Sequence, residues 1–281
     1  MRSLVTHATQ LLLAGAFLVL WGLSARRPGW RRWSSWWLAP LAIVALVTYL
    51  DFFRFHARGP THYWEFYHYH LGTKYFRELG YGGLYEATVV ADFEDDRGHF
   101  DPRAVIRSLT DYQGVYRGQV IRTAEIVTWA FSPSRWQEFK RDVAVYREAN
   151  PIPWRSSRVQ QDHGYNGSPL VTAVLGTLAN QPWLSTRHFI AIFSWADVAL
   201  LLATAAVIAW LVGPASAWLL VFLWALNPLN TYTMIGGAYL RSLHLVGLAL
   251  ALAGMQRGHQ PAFGALLAVA SLLRLFPGLL A

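Results

Sequence analysis

Apolar residues gather in six runs, each close to the roughly 20 positions a helix needs to cross a hydrocarbon layer: residues 8–23, 36–53, 189–212, 215–230, 238–255 and 262–280. Between the second and third runs lies a polar stretch, residues 54–188, which holds every acid of the chain except Asp51 and Asp197. The pattern predicts an all-α integral membrane protein with about six transmembrane helices. It divides the chain into two N-terminal transmembrane helices (residues 1–53), a large and mainly helical loop domain (54–188) and transmembrane helices three to six (189–281). Asn227-Pro228-Leu229-Asn230 interrupts the fourth run and reads as a break at the interface.

Inside the polar stretch, turn and cap signals predict three helices. Residues 63–79 carry Trp64, Tyr67, Leu71, Tyr75 and Leu79 at helical spacing and end at Gly80. Asp101-Pro102 opens a second, running through Ile106 to about Leu109. Ser132-Pro133 opens a third, with Trp136, Phe139, Val143 and Tyr146 on one stripe and Asn150-Pro151 as its stop. Residues 169–178 are apolar but too short to span, so this run is expected in the interface or as a re-entrant segment.

Composition sharpens this reading. The chain is 54% hydrophobic and only 14% charged, as suits a protein whose spans face lipid. Four arginines between positions 26 and 32 put the first connector in the cytoplasm, which places residues 54–188 outside and makes the protein a multi-pass component of the cell's inner (plasma) membrane. A cleaved signal peptide is the alternative for the first run, but those arginines argue against export. The formal charge of +8, carried almost entirely by arginine, suits anionic headgroups and lipid phosphates better than nucleic acid. With no cysteine, the outer loop folds without disulfides and thiol chemistry is excluded.

A few positions can carry chemistry. Glu65, His68 and Tyr69 are three and four residues apart and share a helical face, so a carboxylate and an imidazole could act as a base with its orienting partner, or as two ligands of one metal. The plainer alternative is an interfacial helix whose Tyr and His side chains sit at headgroup level. Asp51, near the end of the second run, is a base or ligand at the bilayer surface, or simply a structural residue. The acidic run Asp92-Phe93-Glu94-Asp95-Asp96 reads as a solvated loop or a cation-attracting patch. Asp162-His163-Gly164-Tyr165-Asn166-Gly167 alternates glycines with hydrogen-bonding side chains, as in a loop whose backbone approaches a ligand. Asp197, Arg241 and Arg274 fall within membrane runs, where an unpaired charge costs at least ~2.5 kcal/mol. Asp197 and either arginine could form a structural pair, but arginine is also the natural ligand of a lipid phosphate.

The run from Trp64 to Tyr81 (WEFYHYHLGTKYFRELGY), followed by Leu84-Tyr85, resembles the first outer loop of GT-C type integral-membrane glycosyltransferases, in particular bacterial multi-pass proteins related to glycosyltransferase family 87. Asp162-His163-Gly164-Tyr165-Asn166, Gly237-Ala238-Tyr239-Leu240-Arg241 and Leu273-Arg274-Leu275-Phe276-Pro277 extend the resemblance in order along the chain. It implies a polyprenyl-phosphate-sugar donor, a glycan or lipid acceptor, and inverting transfer on the extracytoplasmic face. Glu65 would be the catalytic acid/base, with Asp51 as the competing acid and His68 beside it. Arg241 and Arg274 would hold the donor phosphate, and Asp162, His163, Tyr165 and Asn166 would contribute to substrate binding. No cofactor is required; a divalent cation is compatible, with Glu65, His68 or Asp92–Asp95 as its ligands. Such enzymes have more than six spans and this chain stops at Pro277-Gly278-Leu279-Leu280-Ala281, so the resemblance implies an incomplete GT-C fold. Two rival classes stand beside it, a non-enzymatic membrane scaffold and a transporter; the latter lacks the paired discontinuous helices its mechanism would use.

Overall fold

The computed structural model describes residues 2–26, 34–56, 59–95, 100–227, 232, 236–240 and 242–273. The chain is mostly helical, and among the described residues its strands form a single two-stranded ribbon. It divides into two compact units, one made of residues 1–62 and 193–281, the other of residues 63–192.

The first unit is a set of apolar helices. Ala42 and Ala45 let the Ser34–Tyr49 helix lie close to Pro214–Leu226, around a core that includes Leu13, Leu201, Phe222 and Ala225. Small residues at such a contact allow close backbone approach and extensive dispersion contact. The outward faces are apolar as well: Leu11, Leu12, Trp36, Ile43, Trp210 and Leu223 are exposed.

Only Leu4–Arg26 is long and apolar enough to cross a membrane as one helix among the described residues; Thr186–Phe193 and Ala196–Leu211 reach that length only together, across a break. Two helices are shorter than their apolar runs, Pro214–Leu226 with 13 residues and Leu243–Gln256 with 14, and the helix of the second run ends at Tyr49, before the run does. At 1.5 Å per residue, 14 residues cover about 21 Å of a hydrocarbon core about 30 Å thick. Local causes shorten them. After Tyr49 the chain turns left-handed, with φ of +50°, +55° and +62° at Asp51, Phe52 and Phe53. Arg54 N–H closes this turn on Asp51 O at 3.1 Å. Such a conformation costs an L-residue about 1–2 kcal/mol. The 215–230 run stops its helix at Leu226, before Asn227. The 189–212 run breaks at Ser194 and Trp195, so Asp197 lies in the first turn of a new helix, where the exposed amides favour a carboxylate; its Oδ1 accepts the Ser242 N–H at 3.2 Å.

The second unit is built around the segment that begins at Tyr63. Tyr63–Phe66 passes through a π-helical turn, Tyr67–Leu71, into Gly72–Lys74 and, after a break at Tyr75, Phe76–Leu79. Every residue from 66 to 75 is buried. Around it lie the helices Leu84–Asp95, Pro133–Ala149 and Pro169–Ala179. The core is rich in tyrosine, and a buried phenol needs a partner. Tyr67 pairs with Thr88 at 2.8 Å, Tyr75 with Asp142 at 2.8 Å and Tyr146 with His70 at 2.9 Å.

The Pro133–Ala149 helix follows its sequence signals: Ser132 Oγ accepts the Arg135 N–H at 3.3 Å, and Trp136, Phe139, Val143 and Tyr146 form the buried stripe. The expected helix over 101–109 is not formed. Asp101 instead accepts the Arg103 N–H two residues on at 2.9 Å, and Val105–Arg107 pairs antiparallel with Gly114–Tyr116. The β-branched Val105 and Ile106 suit this ribbon, in which Ile106 points into the core. The short apolar run packs as the Pro169–Ala179 helix against Gly72–Lys74, with Thr172, Leu175, Gly176 and Ala179 buried.

Over its described part the acidic run is helical and not a loop, with Asp92 buried and Glu94 and Asp95 exposed. Asp92, Glu94 and Asp95 end the Leu84–Asp95 helix, and Asp92 is 4% exposed. Arg117 and Arg147 bind its two oxygens at 2.9 and 3.0 Å, while Lys140 binds Glu94 and Asp95 at 3.1 Å each. The cations this run attracts are the protein's own. Asp96 lies outside the described residues.

Candidate functional site

The segment Asp162–Ser168 lies on the face of the 63–79 segment that carries Trp64, His68 and Tyr69. Trp64 Nε1 donates to Asp162 Oδ2 at 2.7 Å, and Tyr69 Oη donates to Asn166 Oδ1 at 2.6 Å. Between these anchors, Gly164 N–H donates to the Tyr85 oxygen at 3.0 Å. The same hydroxyl stands 2.7 Å from His68 Nε2, which is also 3.2 Å from the Val159 carbonyl. A carbonyl only accepts, so a proton on His68 Nε2 satisfies both contacts. Tyr81 adds a fourth tie, donating to Gly167 O at 2.9 Å.

Two glycines make this docking feasible. A Cβ on Gly72 would sit 2.5 Å from Cβ of Tyr165, so only glycine lets the loop lie this close to the helix. Gly164 adopts φ +68°, the left-handed region, and its missing side chain leaves room for Leu109. Tyr165 is buried, bonded to Thr172 at 2.7 Å and stacked on Tyr81 at 5.8 Å.

The electrostatics separate the ionisable groups. Partial burial pushes the Asp162 carboxyl up, but the Trp64 indole, the His163 N–H and nearby imidazoles outweigh it, so Asp162 stays below the usual carboxylate range. Burial, then the Asp162 charge, with Glu65 a smaller contributor, hold the Tyr85 phenol well above its ordinary value. Glu65 and Asp162 therefore act on one neighbourhood, and Tyr85 stays neutral there. At the border, Arg107 Nη1 lies 3.3 Å from His163 Nδ1. The arrangement offers an ionised acceptor in Asp162, a half-buried carboxylate in Glu65 and an imidazole beside a neutral phenol, suited to holding and deprotonating a hydroxyl.

Six of the sequence candidates thus gather in one unit: Glu65, His68, Asp162, His163, Tyr165 and Asn166. His68 is 2% exposed, with its Nε2 engaged by Tyr85 and Val159, so it positions Tyr85 and the loop. Asp51 belongs to the other unit, buried in the left-handed turn, where Thr6 Oγ1 approaches its Oδ1 at 3.4 Å. Arg241 and Arg274 lie outside the described residues. Among the described residues no group of three or more His, Asp or Glu side chains could hold a metal ion. Trp64 and Arg107 escaped the sequence reading as site residues. An indole at a helix start and an arginine in a short strand carry no local signal of a partner so far along the chain.

Comparison with protein-family models, with curated proteins and with solved structures returned no match.

Proposed function

We propose that the protein is a membrane glycosyltransferase of the GT-C type, moving a sugar from a polyprenyl-phosphate donor to an acceptor hydroxyl on the extracytoplasmic face. The observation that carries this reading is the docking of Asp162-His163-Gly164-Tyr165-Asn166 on the Trp64–Tyr69 segment. Two of the motifs on which the resemblance rests, nearly a hundred residues apart, share one set of hydrogen bonds. A multi-pass arrangement of about six spans accords with helices apolar on both their packed and their exposed faces, since such helices suit a lipid solvent.

On this reading Glu65 takes the proton of the acceptor hydroxyl as its oxygen bonds to the anomeric carbon. The bond from that carbon to the phosphate oxygen breaks, and polyprenyl phosphate leaves with the electron pair. Asp162 orients the acceptor, while His68 and Tyr85 hold the loop in register. Arg241 and Arg274 are assigned to the departing phosphate, whose growing charge a guanidinium stabilises. Asp51 is the competing acid.

The test is transfer from radiolabelled polyprenyl-phosphate sugars by membranes carrying the chain. Glu65→Gln is expected to lower turnover about 10²–10⁴-fold without loss of membrane insertion. If no donor of a broad panel supports transfer, or if Glu65→Gln and Asp51→Asn both retain full turnover, the scaffold reading takes its place.

A further inference from the structure

A groove of about 990 Å³ in the 63–192 unit runs between two walls. Phe76, Arg77 and Tyr81 form one; the other is the outer face of the Pro169–Ala179 helix, with Ala173 and Thr177, continued by Gln181. Eleven helical residues make that second wall about 16 Å long. The groove adjoins the Asp162–Ser168 loop, because Tyr81, which holds the Gly167 carbonyl at 2.9 Å, is part of its lining.

The other cations that line it are taken up within the protein. Arg135 donates to Glu78, Glu138 and Asn180 Oδ1 at 2.8 Å each, and Lys74 binds Glu138 and Asp142 at 2.8 and 2.7 Å. The groups left open are of both senses. The exposed Arg77 guanidinium, which only donates, makes no hydrogen bond or ion pair among the described residues. Gln181 donates through Nε2 to the Thr177 carbonyl at 2.9 Å, which leaves its Oε1 as an acceptor. Thr177 Oγ1 donates to the Ala173 carbonyl at 2.8 Å and keeps its lone pairs. Tyr81 supplies a ring: its centre lies 5.8 Å from Tyr165 and 4.8 Å from Phe76, and those two are 6.1 Å apart. Both neighbours therefore sit to one side of Tyr81, and the 44% of it that is exposed lies away from them.

We propose that this groove binds a neutral oligosaccharide, the extended acceptor of the sugar transfer described above. A sugar hydroxyl both donates and accepts, so it can answer Arg77 on one wall and Thr177 and Gln181 on the other, while the C–H face of a sugar ring packs on Tyr81. A hydrocarbon chain would exclude water from those polar groups and give them no partner. An anion would find one open guanidinium facing acceptors. The volume stands at the upper end of the roughly 300–1,000 Å³ usual for ligand pockets, and the length of the helical wall suits a chain of several rings. The acceptor role rests on the transferase reading; the binding itself does not.

Calorimetric titration of the full chain in lipid nanodiscs tests it, with maltohexaose, cellohexaose and mannohexaose as probes and farnesyl phosphate as the apolar-chain comparison. At least one hexasaccharide is expected to bind saturably. Ala173→Arg places a long side chain in the groove from an exposed helical position and should abolish that binding. Arg77→Ala, also exposed, should weaken it about tenfold with the unfolding midpoint of the free protein unchanged; should Ala173→Arg fail to fold, Arg77→Ala decides alone. Binding of no hexasaccharide, or full affinity in both variants, would overturn the proposal. Farnesyl phosphate binding that Ala173→Arg removes, with none by the saccharides, would give the groove to a lipid chain and overturn it too. The titration needs neither donor nor turnover: saccharide binding without transfer upholds the groove and removes the transferase reading, and transfer without saccharide binding does the reverse.

Discussion

Trp64 and Asp162 meet at 2.7 Å, the indole N–H donating to a carboxylate 98 positions further along the chain. The other carboxylate oxygen accepts the His163 N–H at 2.8 Å. Asp162 is thereby bonded on both oxygens, and its loop is tied to the segment that carries Glu65.

Trp64→Phe keeps the ring's packing and removes the donor. A hydrogen bond to a charged group is worth about 1.5–3 kcal/mol, with the lower end appropriate at this half-buried position. Stability is expected to fall by about 1.5 kcal/mol, with faster proteolytic cleavage between residues 162 and 168. Denaturant unfolding and limited proteolysis measure the two effects; unchanged cleavage would show that the loop does not depend on this bond.

Asp142 is 6% exposed and accepts from Lys74 Nζ at 2.7 Å, Tyr75 Oη at 2.8 Å and Thr186 Oγ1 at 2.6 Å. Burial raises its carboxyl, but Lys74 foremost among its neighbours more than offsets this, leaving it below the ordinary range. Asp142→Asn removes one of the two carboxylates that Lys74 binds, leaving Glu138 at 2.8 Å, and should cost about 2 kcal/mol. Adding Lys74→Met removes the cation whose pairing was weakened and should recover part of that loss. A double-mutant cycle reads the coupling, and strictly additive losses would refute it.

His70 gives stability a pH dependence. Burial pushes its imidazole down to about 3, while the unfolded chain titrates near 6.5. Below pH 6.5 the unfolded state takes up a proton that folded His70 refuses until about pH 3. Its contribution is therefore complete above pH 6.5 and declines as the pH falls toward 3. Between pH 6.5 and 5 the loss amounts to roughly 2 kcal/mol. His70→Asn should flatten the unfolding midpoint across this window; parallel pH profiles for the two proteins would exclude the assignment.

The Pro133–Ala149 helix was legible because its signals are local: Ser132 at the cap, Pro133 in the first turn and an apolar stripe every three or four residues. Leu84–Asp95 was not. Residues 87 to 92 are all buried, which erases the alternation of faces by which a surface helix is recognised. At residues 101–109 an acid before proline looked like a helix start, yet the same carboxylate closes a two-residue turn, and packing of Ile106 selected the ribbon. The π-helical turn at Tyr67–Leu71 left no trace in the spacing, since its wider ring reorients His68, Tyr69 and His70 only once their partners are in place.

Composition and periodicity by themselves determined the all-α character, the division between apolar runs and a polar stretch, and the helices whose ends are marked by capping residues. Those features follow from contacts within a few residues and need no knowledge of the rest of the chain. Only the tertiary structure decided that Asp92 is a buried ion-pair centre, that Asp162 answers to Trp64, and that His68 serves Tyr85 and Val159. Each depends on groups brought together from 17 to 98 positions away, where burial and charge are set by which surfaces pack, and no local pattern records that choice.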